Sequence, residues 1–172
     1  MKSDDVVLGI LLESPSTGYE IKQKFETVFS NFYNASFGSI YPILHKLVTH
    51  KKVYVKLVRQ EGKPDKKIYS ITEKGIESFQ NYLRTEVEPR KTKWDFMVRM
   101  YFADSLPAYK QLELIDREIA KQRDELEQLL QLQKSIDAAA NAFQKFSLHL
   151  GITQKKAFLH ELSTFRETIS AS

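Results

Sequence analysis

Cysteine is absent from the 172-residue sequence, which excludes disulfide bonds, thiolate catalysis and cysteine-based zinc sites. Phosphate-binding glycine loops and the His-Glu-x-x-His pattern are missing as well, so nothing indicates an enzyme and we expect none. The histidines share no metal-ligand spacing, and we expect neither a metal site nor a cofactor. They are His45, His50, His149 and His160.

Long apolar runs are also absent, since no stretch reaches the ~18 residues needed to span a bilayer. The N-terminus, Met1–Asp5, carries two acidic residues and no cleavage-site pattern. We therefore expect a cytoplasmic protein that begins at Met1 and has no membrane partner. With 42% hydrophobic and 28% charged residues, the chain can bury a core.

Positive charge is concentrated in one segment. Residues Ser36–Ser70 contain eight lysine or arginine and two acidic residues, a net charge of +6, while the whole chain carries +4 and the remainder therefore −2. Such a segment is typical of a surface that binds phosphate groups, although a merely solvated face would have the same composition.

The N-terminal half begins with three predicted helices. The first covers Asp4–Leu12, and a capping box at Thr17–Glu20 starts the second. The third begins at the candidate N-cap Ser36 and continues through Pro42, although proline normally kinks a helix. Its buried face should consist of Ile40, Ile43, Leu44 and Leu47.

A basic hairpin and a fourth helix follow. Val53–Val58 and Lys67–Ile71 are predicted strands, joined by the turn Glu61–Asp65. Thr72 should cap a helix that ends near Glu88–Pro89 and carries Ile76, Phe79 and Leu83. This order predicts a winged helix-turn-helix, whose third helix can read the major groove of DNA while the wing holds phosphates. A winged helix used only for protein contacts is the alternative.

The C-terminal half is predicted to be helical after a boundary at Pro89–Lys93. Trp94–Phe102 is apolar on nearly every side, so we expect a buried helix joining the two halves. A helix of coiled-coil character covers Leu112–Ile136, with an imperfect heptad at Gln122 and Arg123. The last helix, Phe143–Ile169, should break at Leu150–Gly151. The expected fold is mainly α, with a winged helix-turn-helix in residues 1–90 and an antiparallel helical dimerisation domain in residues 91–172.

Four stretches make residues Val7–Tyr82 resemble the PadR family of bacterial transcriptional regulators. They are Leu8–Leu12, Gly18–Ile21, Gly38–Leu47 and Tyr69–Gly75. Each stretch alone is weak, but four in order at matching spacings are specific, and the Tyr-Pro pair in the third helix is a hallmark of the family. A weaker similarity, through Asp95–Met97 and Tyr101–Leu106, extends to the phenolic-acid-responsive subgroup, whose long C-terminal arm mediates dimerisation.

One departure from the family lies where the third helix meets the wing. Many members have glycine before the first wing strand, whereas this chain has His50, Lys51, Lys52 and Val53. Lysine adopts left-handed backbone geometry less easily than glycine. The local turn, but not the fold, is therefore expected to differ.

The pattern and the resemblance together give a set of candidate DNA contacts. They are Tyr19, Ser36, Ser39, Tyr41, Pro42, His45, Lys46, Arg59, Lys63, Lys66 and Lys67. Tyr41 either contacts DNA or packs against the second helix, and Tyr19 either meets a phosphate at the positive helix N-terminus or is half buried in the core. The expected partner is double-stranded DNA with a pseudo-palindromic operator.

Two further sets of residues belong to the C-terminal half. The first, Trp94, Phe96, Met97, Met100 and Tyr101, is either interdomain core or, as the resemblance implies, a pocket for a small aromatic effector. The second is expected to form a homodimer interface and comprises Leu112, Ile115, Ile119, Leu126, Leu129, Leu130 and Ile136. We thus expect a homodimeric, sequence-specific repressor. A protein-interaction module using the long helices, with vestigial DNA binding, is the alternative.

Overall fold

The computed structural model describes residues 2–29, 40–59, 65–88, 94–136 and 140–170. Of residue 136 it describes the backbone alone. Ser36, Ser39 and Lys63 lie outside these residues, as does all of the predicted wing turn except Asp65. The chain divides into two compact units, Met1–Arg90 and Lys91–Ser172. Each unit has a hydrophobic core of its own.

The described residues of the first unit form four α-helices and three strands. These are α1 (Ser3–Glu13), β1 (Ser16–Thr17), α2 (Gly18–Lys24), α3 (Ile40–Thr49), β2 (Val53–Val58), β3 (Lys66–Ile71) and α4 (Glu73–Arg84). A π-helical turn, Phe25–Phe29, continues α2. The order confirms the predicted winged helix-turn-helix, with the β2–β3 hairpin as the wing.

The sheet has the strand order β1–β3–β2, and both pairs of strands are antiparallel. Tyr69 of β3 is paired with Ser16 on one side and with Val55 on the other. β1 is not among the predicted elements, because two residues that follow a proline carry no strand pattern. Its pairing with β3 ties the wing to the segment that starts α2.

The core of the first unit is built around α1 and the inner face of α3. The predicted inner face of α3, Ile40, Ile43, Leu44 and Leu47, is buried. Full burial of one such side chain stabilises a fold by about 1.5–3 kcal/mol, so this face fixes the helix on the core. α3 runs through Pro42 without interruption, as predicted, and its opposite face is left exposed.

α4 is shorter than predicted. Thr72 caps it, since its hydroxyl accepts the Gly75 N–H at 3.2 Å, but the helix ends at Arg84 and not near Glu88–Pro89. Thr85 has an extended backbone there, and the acidic residues beyond it would be unfavourable at the negative end of the helix dipole. Leu83, one of the three apolar residues named for this helix, is 63% exposed because this last turn packs on little of the core.

The described residues of the second unit are helical. They form α5 (Asp95–Tyr101), a 3-10 turn (Ala103–Ser105), α6 (Ala108–Ile136) and α7 (Ala142–Ser170). Asp116 pairs with Arg166 and Glu125 with Lys155, so α6 and α7 run antiparallel, as predicted. None of the helices in the described part of the chain is both long enough and apolar enough to cross a membrane.

The predicted break in the last helix is wrong, because α7 continues through Gly151. A Cβ atom at this glycine would lie 3.9 Å from the Leu129 side chain, so α7 packs against α6 at this position. Glycine inside a helix costs only about 1 kcal/mol relative to alanine. Packing against α6 outweighs that cost.

The apolar stripe of α6 is buried largely within its own chain. Ile115, Ile119 and Leu129 are 1%, 6% and 2% exposed, in clusters that also contain α7 residues. Their side chains fill the hairpin core of the single chain, so they leave little surface for a second copy, and their assignment to a dimer interface stays a prediction. Helical periodicity marks a face that is covered, but not what covers it. Leu112, Leu126 and Leu130 are half-buried, and the side chain of Ile136 lies outside the described part.

A polar layer explains the imperfect heptad. Lys155 of α7 donates a hydrogen bond to the Gln122 side chain at 3.0 Å and pairs with Glu125. It lies between the two apolar clusters of the hairpin. Polar side chains at such positions specify the register of packed helices.

The helix after Trp94 is not buried as expected. In α5, Phe96 is buried and Met100 packs on the same cluster, whereas Met97, Val98 and Tyr101 are exposed. A helix of two turns presents only one side to the α6–α7 core. The apolar residues on its other side remain uncovered in the single chain.

Candidate nucleic-acid interface

A cavity of about 480 Å³ opens on the first unit where the start of α2, the start of α3 and the wing strand β3 meet. Its lining residues are Thr17, Gly18, Tyr19, Glu20, Tyr41, Asp65, Lys66, Lys67 and Tyr69. We refer to it as the wing groove. It brings together four of the candidate DNA contacts, Tyr19, Tyr41, Lys66 and Lys67.

A capping box fixes the α2 side of the wing groove. The Glu20 carboxylate accepts the Thr17 N–H at 2.7 Å and the Thr17 hydroxyl at 2.8 Å, while the Glu20 N–H donates to the same hydroxyl oxygen at 3.2 Å. This confirms the capping box predicted from the sequence. Tyr19, between these two residues, is 70% exposed, which rules out the half-buried alternative for its side chain.

Tyr41 packs against the start of α2, one of the two roles considered for it, and is also exposed. Its ring lies against Gly18, where a Cβ atom would be only 2.8 Å from the Tyr41 ring. The side chain is nevertheless 64% exposed. Gly18 thus lets the tyrosine rest on the start of α2 while most of the ring remains available in the wing groove.

The outer face of α3 continues this surface. Pro42, His45 and Lys46 are exposed, on the side opposite the buried face. The Lys46 ammonium lies 2.7 Å from a carboxylate oxygen of Asp4 in α1. The lysine therefore already has an acidic partner in the chain.

The wing contributes Lys66 and Lys67 at the start of β3. The Lys66 ammonium lies 3.6 Å from a carboxylate oxygen of Glu20, whereas Lys67 is exposed. Arg59 is exposed just after β2 but does not line the wing groove. Two of the predicted wing contacts thus lie beside the α2–α3 surface, and Lys63 lies outside the described residues.

Hydrogen bonding and burial shift two pKa values in the wing groove. Hydrogen bonds from the Thr17 backbone and hydroxyl hold the pKa of Glu20 below its usual range, and Lys66 lowers it further. Burial raises the pKa of Tyr69, with a smaller effect from Tyr41. At neutral pH the wing groove therefore contains a fixed carboxylate beside a lysine, and a protonated tyrosine able to donate a hydrogen bond.

The turn between α3 and β2 holds the wing against α3. Lys51 has a φ of 57°, in the left-handed region. Its N–H donates to the Val48 carbonyl and the next N–H, of Lys52, donates to the Leu47 carbonyl, both at 2.9 Å. These bonds are those of a Schellman motif, whose left-handed position is usually glycine. Lysine here adopts the geometry that glycine normally supplies, so the expectation that the local turn would differ is wrong.

The effector candidates divide into two groups. The Trp94 ring lies 5.0 Å from the Phe158 ring, and Phe96 contacts Phe158 edge-on at 6.1 Å. Met100 packs on the same cluster, whereas Met97 and Tyr101 are exposed. The structure thus brings Trp94 and Phe96 to Phe158, a residue of α7 that sequence reasoning did not include.

Sequence reasoning also missed three residues of this surface. Asp4 and Glu20 are the acidic neighbours of Lys46 and Lys66, and Tyr69 lines the wing groove. The capping box identifies Glu20 as a helix residue, but nothing local connects it to the wing. Asp4 and Lys46 are likewise far apart in the sequence. Only the packing of α1 on α3 and of β1 on β3 brings these groups together.

A winged helix-turn-helix followed by a long helical hairpin is the architecture of a class of transcriptional regulators. Residues 7–81 match the model of the transcriptional regulator PadR-like family, and residues 92–160 match the virulence activator alpha C-terminal model. The PadR-like transcriptional regulator BC1756 from Bacillus cereus is 32% identical, with a TM-score of 0.91 over 99% of both chains. The chain belongs to the PadR-like family of transcriptional regulators.

Bacillus subtilis PadR provides a second comparison. The negative transcriptional regulator PadR of strain 168 is 28% identical over 124 residues, which cover 72% of this chain and 68% of that protein. Its crystal structure with operator DNA has a TM-score of 0.80 at 24% identity, over 96% of this chain and 98% of that one. Its structure with p-coumaric acid has a TM-score of 0.74 at 22% identity, over 97% and 98%. Both structures share the fold of this chain.

Proposed function

We propose that this transcriptional regulator binds double-stranded DNA at a pseudo-palindromic operator, as a homodimeric repressor. The observation that carries the proposal is the wing groove, where exposed Tyr19, Tyr41 and Lys67 meet Lys66 beside the outer face of α3. In this proposal residues 1–90 bind DNA and residues 91–172 form the dimer. The repressor role is supported by the likeness to B. subtilis PadR, a negative regulator.

The residue types suit the two kinds of contact that a DNA-binding protein makes, with base edges and with phosphates. The outer face of α3 offers His45 to base edges in the major groove and Lys46 to a phosphate beside them. Lys66 and Lys67 neutralise phosphates, and each phosphate neutralised steepens the fall of affinity with salt by about 0.9 in the log–log slope. The hydroxyls of Tyr19 and Tyr41 can donate to phosphate oxygens, which position the helix without reading sequence.

Fluorescence anisotropy with a labelled duplex from the chain's own promoter region tests DNA binding. Replacing Lys63, Lys66 and Lys67 with alanine should weaken binding to every duplex and flatten the salt dependence. Lys156→Ala, on an exposed position of α7, is the control for a change in net charge. An unchanged salt slope in the triple variant would show that the wing does not contact the DNA backbone. If the wild type bound no duplex, the remaining function would be that of a protein-interaction module that uses the long helices.

The homodimer is proposed from the aromatic residues that the second unit leaves uncovered. On α7, Phe143 is 85% exposed, and Phe146 and Phe165 are also exposed. A two-fold dimer is the commonest way to cover identical apolar surfaces. Light scattering should give twice the 20.0 kDa chain mass. Phe146→Glu should shift the protein toward monomer. His160→Glu, at an exposed position of the same helix, is the control and should not. A wild-type monomer at micromolar concentration would contradict the proposal.

The effector is proposed to be a small planar aromatic molecule that binds beside Trp94 and lowers DNA affinity. Trp94 is 45% exposed next to the Phe96–Phe158 pair, and B. subtilis PadR has been crystallised with p-coumaric acid. A ligand that prefers the non-DNA conformation by ~1–3 kcal/mol lowers operator affinity about 5- to 150-fold. Because Trp94 is the single tryptophan, titration with p-coumaric acid reports binding through its fluorescence. No change in emission or DNA affinity with millimolar planar aromatics would identify the cluster as ordinary core.

A further inference from the structure

Two lysines of the proposed DNA surface are held by carboxylates from other elements. Lys46 of α3 lies 2.7 Å from Asp4 of α1, and Lys66 of β3 lies 3.6 Å from Glu20 of α2. Neither pair lies within one helix or one strand. Each lysine can therefore meet a phosphate only where the chain has already placed a negative charge.

The Glu20 carboxylate is held in place. One of its oxygens, Oε2, accepts two hydrogen bonds from Thr17, at 2.7 and 2.8 Å, and the other, Oε1, is the atom nearest the Lys66 ammonium. The side chain would lose the capping box if it turned away from the wing groove. A phosphate approaching Lys66 must therefore take its place beside a fixed anion.

Asp4 is restrained in a different way. It belongs to the first turn of α1, where a negative charge is favoured by the helix dipole. Its side chain is only 23% exposed, compared with 54% for Lys46. The lysine is thus the more exposed partner, and its ammonium is accessible to a phosphate that would replace the carboxylate.

We propose that Asp4 and Glu20 are specificity-determining residues, which compete with DNA phosphates for Lys46 and Lys66 and so weaken binding to non-operator DNA. This inference rests on the proposed DNA-binding function. Binding to non-operator sequences depends almost entirely on phosphate contacts, so two competing carboxylates reduce it directly. On the operator, base contacts hold α3 in place and supply affinity that the carboxylates do not oppose.

The test uses the full chain with Asp4→Asn, Glu20→Gln and the double variant. Glutamine keeps the capping interaction, so the charge changes without loss of the helix start. Glu26→Gln is the matched control, because Glu26 pairs with Lys22 at 3.5 Å away from the residues that line the wing groove. Circular dichroism melting verifies that each variant is folded, and Asp4→Asn keeps the test valid if Glu20→Gln is unstable.

Anisotropy is measured with a random-sequence duplex and with promoter DNA over a series of salt concentrations. Each single variant should bind the random duplex about two- to five-fold more tightly than wild type, the range for an exposed ion pair. The log–log salt slope should steepen by about 0.9 for each freed lysine. The ratio of promoter to random-duplex affinity should fall.

Three results would overturn the inference. In the first, wild type binds promoter DNA but the variants bind the random duplex no more tightly than Glu26→Gln. In the second, wild type binds promoter DNA but the ratio of promoter to random-duplex affinity in the variants stays constant or rises. Either outcome refutes the role of the carboxylates and leaves the proposed function intact. If wild type binds neither duplex at low salt, the proposed function fails, and this inference fails with it.

Discussion

Replacing Lys51 with glycine should stabilise the protein. Lys51 holds a left-handed backbone at the end of α3, and its carbonyl accepts the Thr72 hydroxyl at 2.8 Å. The next carbonyl, of Lys52, accepts the Thr72 N–H at 3.0 Å. These bonds and the Schellman motif keep the turn in a conformation that lysine alone would avoid.

The magnitude follows from two opposing backbone effects. A left-handed conformation costs a non-glycine residue about 1–2 kcal/mol, which glycine does not incur. Glycine has more freedom in the unfolded chain, which offsets about 0.5–1 kcal/mol of that gain. The free energy of unfolding should therefore rise by about 0.5–1 kcal/mol in Lys51→Gly. Lys51→Ala also removes the charge but keeps the backbone cost, so it should show no gain.

Urea unfolding followed by circular dichroism measures the difference. With slopes of about 1–3 kcal/mol/M, the midpoint for Lys51→Gly should lie about 0.2–1 M above that for Lys51→Ala, with no change in slope. Equal midpoints, or a lower midpoint for the glycine variant, would refute the reasoning. The comparison isolates the backbone, because both variants lose the same side-chain charge.

Three further predictions concern backbone packing and protonation. Gly75→Ala should destabilise the first unit by about 3 kcal/mol in the same urea assay, because the new Cβ would lie 2.2 Å from the Lys52 carbonyl oxygen; a neutral effect would contradict this packing. Gly151→Ala should stabilise the protein by about 0.5–1 kcal/mol, since its Cβ fits beside Leu129, and destabilisation would mean that α7 requires this glycine. The Glu20 contribution to stability is fully present above the ordinary pKa of glutamate and is lost as the pH falls through its lowered folded-state pKa. Glu20→Gln should therefore flatten the acid-side loss of unfolding free energy, and an unchanged pH profile would refute this.

Local patterns were sufficient to predict most elements. The apolar spacing of Ile40, Ile43, Leu44 and Leu47 identified the buried face of α3, and the Thr17–Glu20 capping box located the start of α2. Both features arise from interactions within one helix or from its periodicity, which the sequence displays directly. The hairpin was predicted for the same reason, since its two β-rich runs flank turn residues.

Tertiary partners were not accessible in this way. The α6 stripe was assigned to a second copy, whereas Ile115 and Leu129 are covered by α7 of the same chain. The acidic partners of Lys46 and Lys66 come from segments distant in the sequence, so no motif connects them. For the candidate site, residue types and one helix face were predictable, while the charge neutralisation within the wing groove required the packed structure.

Hydroxyl-radical footprinting of the chain on its own promoter DNA tests the central claim most directly. Two copies of the winged helix related by a two-fold axis should protect two inverted half-sites, with centres about 34 Å apart or a multiple of that distance. Protection should weaken at both half-sites together when Lys66 and Lys67 are replaced with alanine. A single unpaired half-site, or no protection at concentrations where the protein is folded, would contradict the account of a dimeric operator-binding regulator.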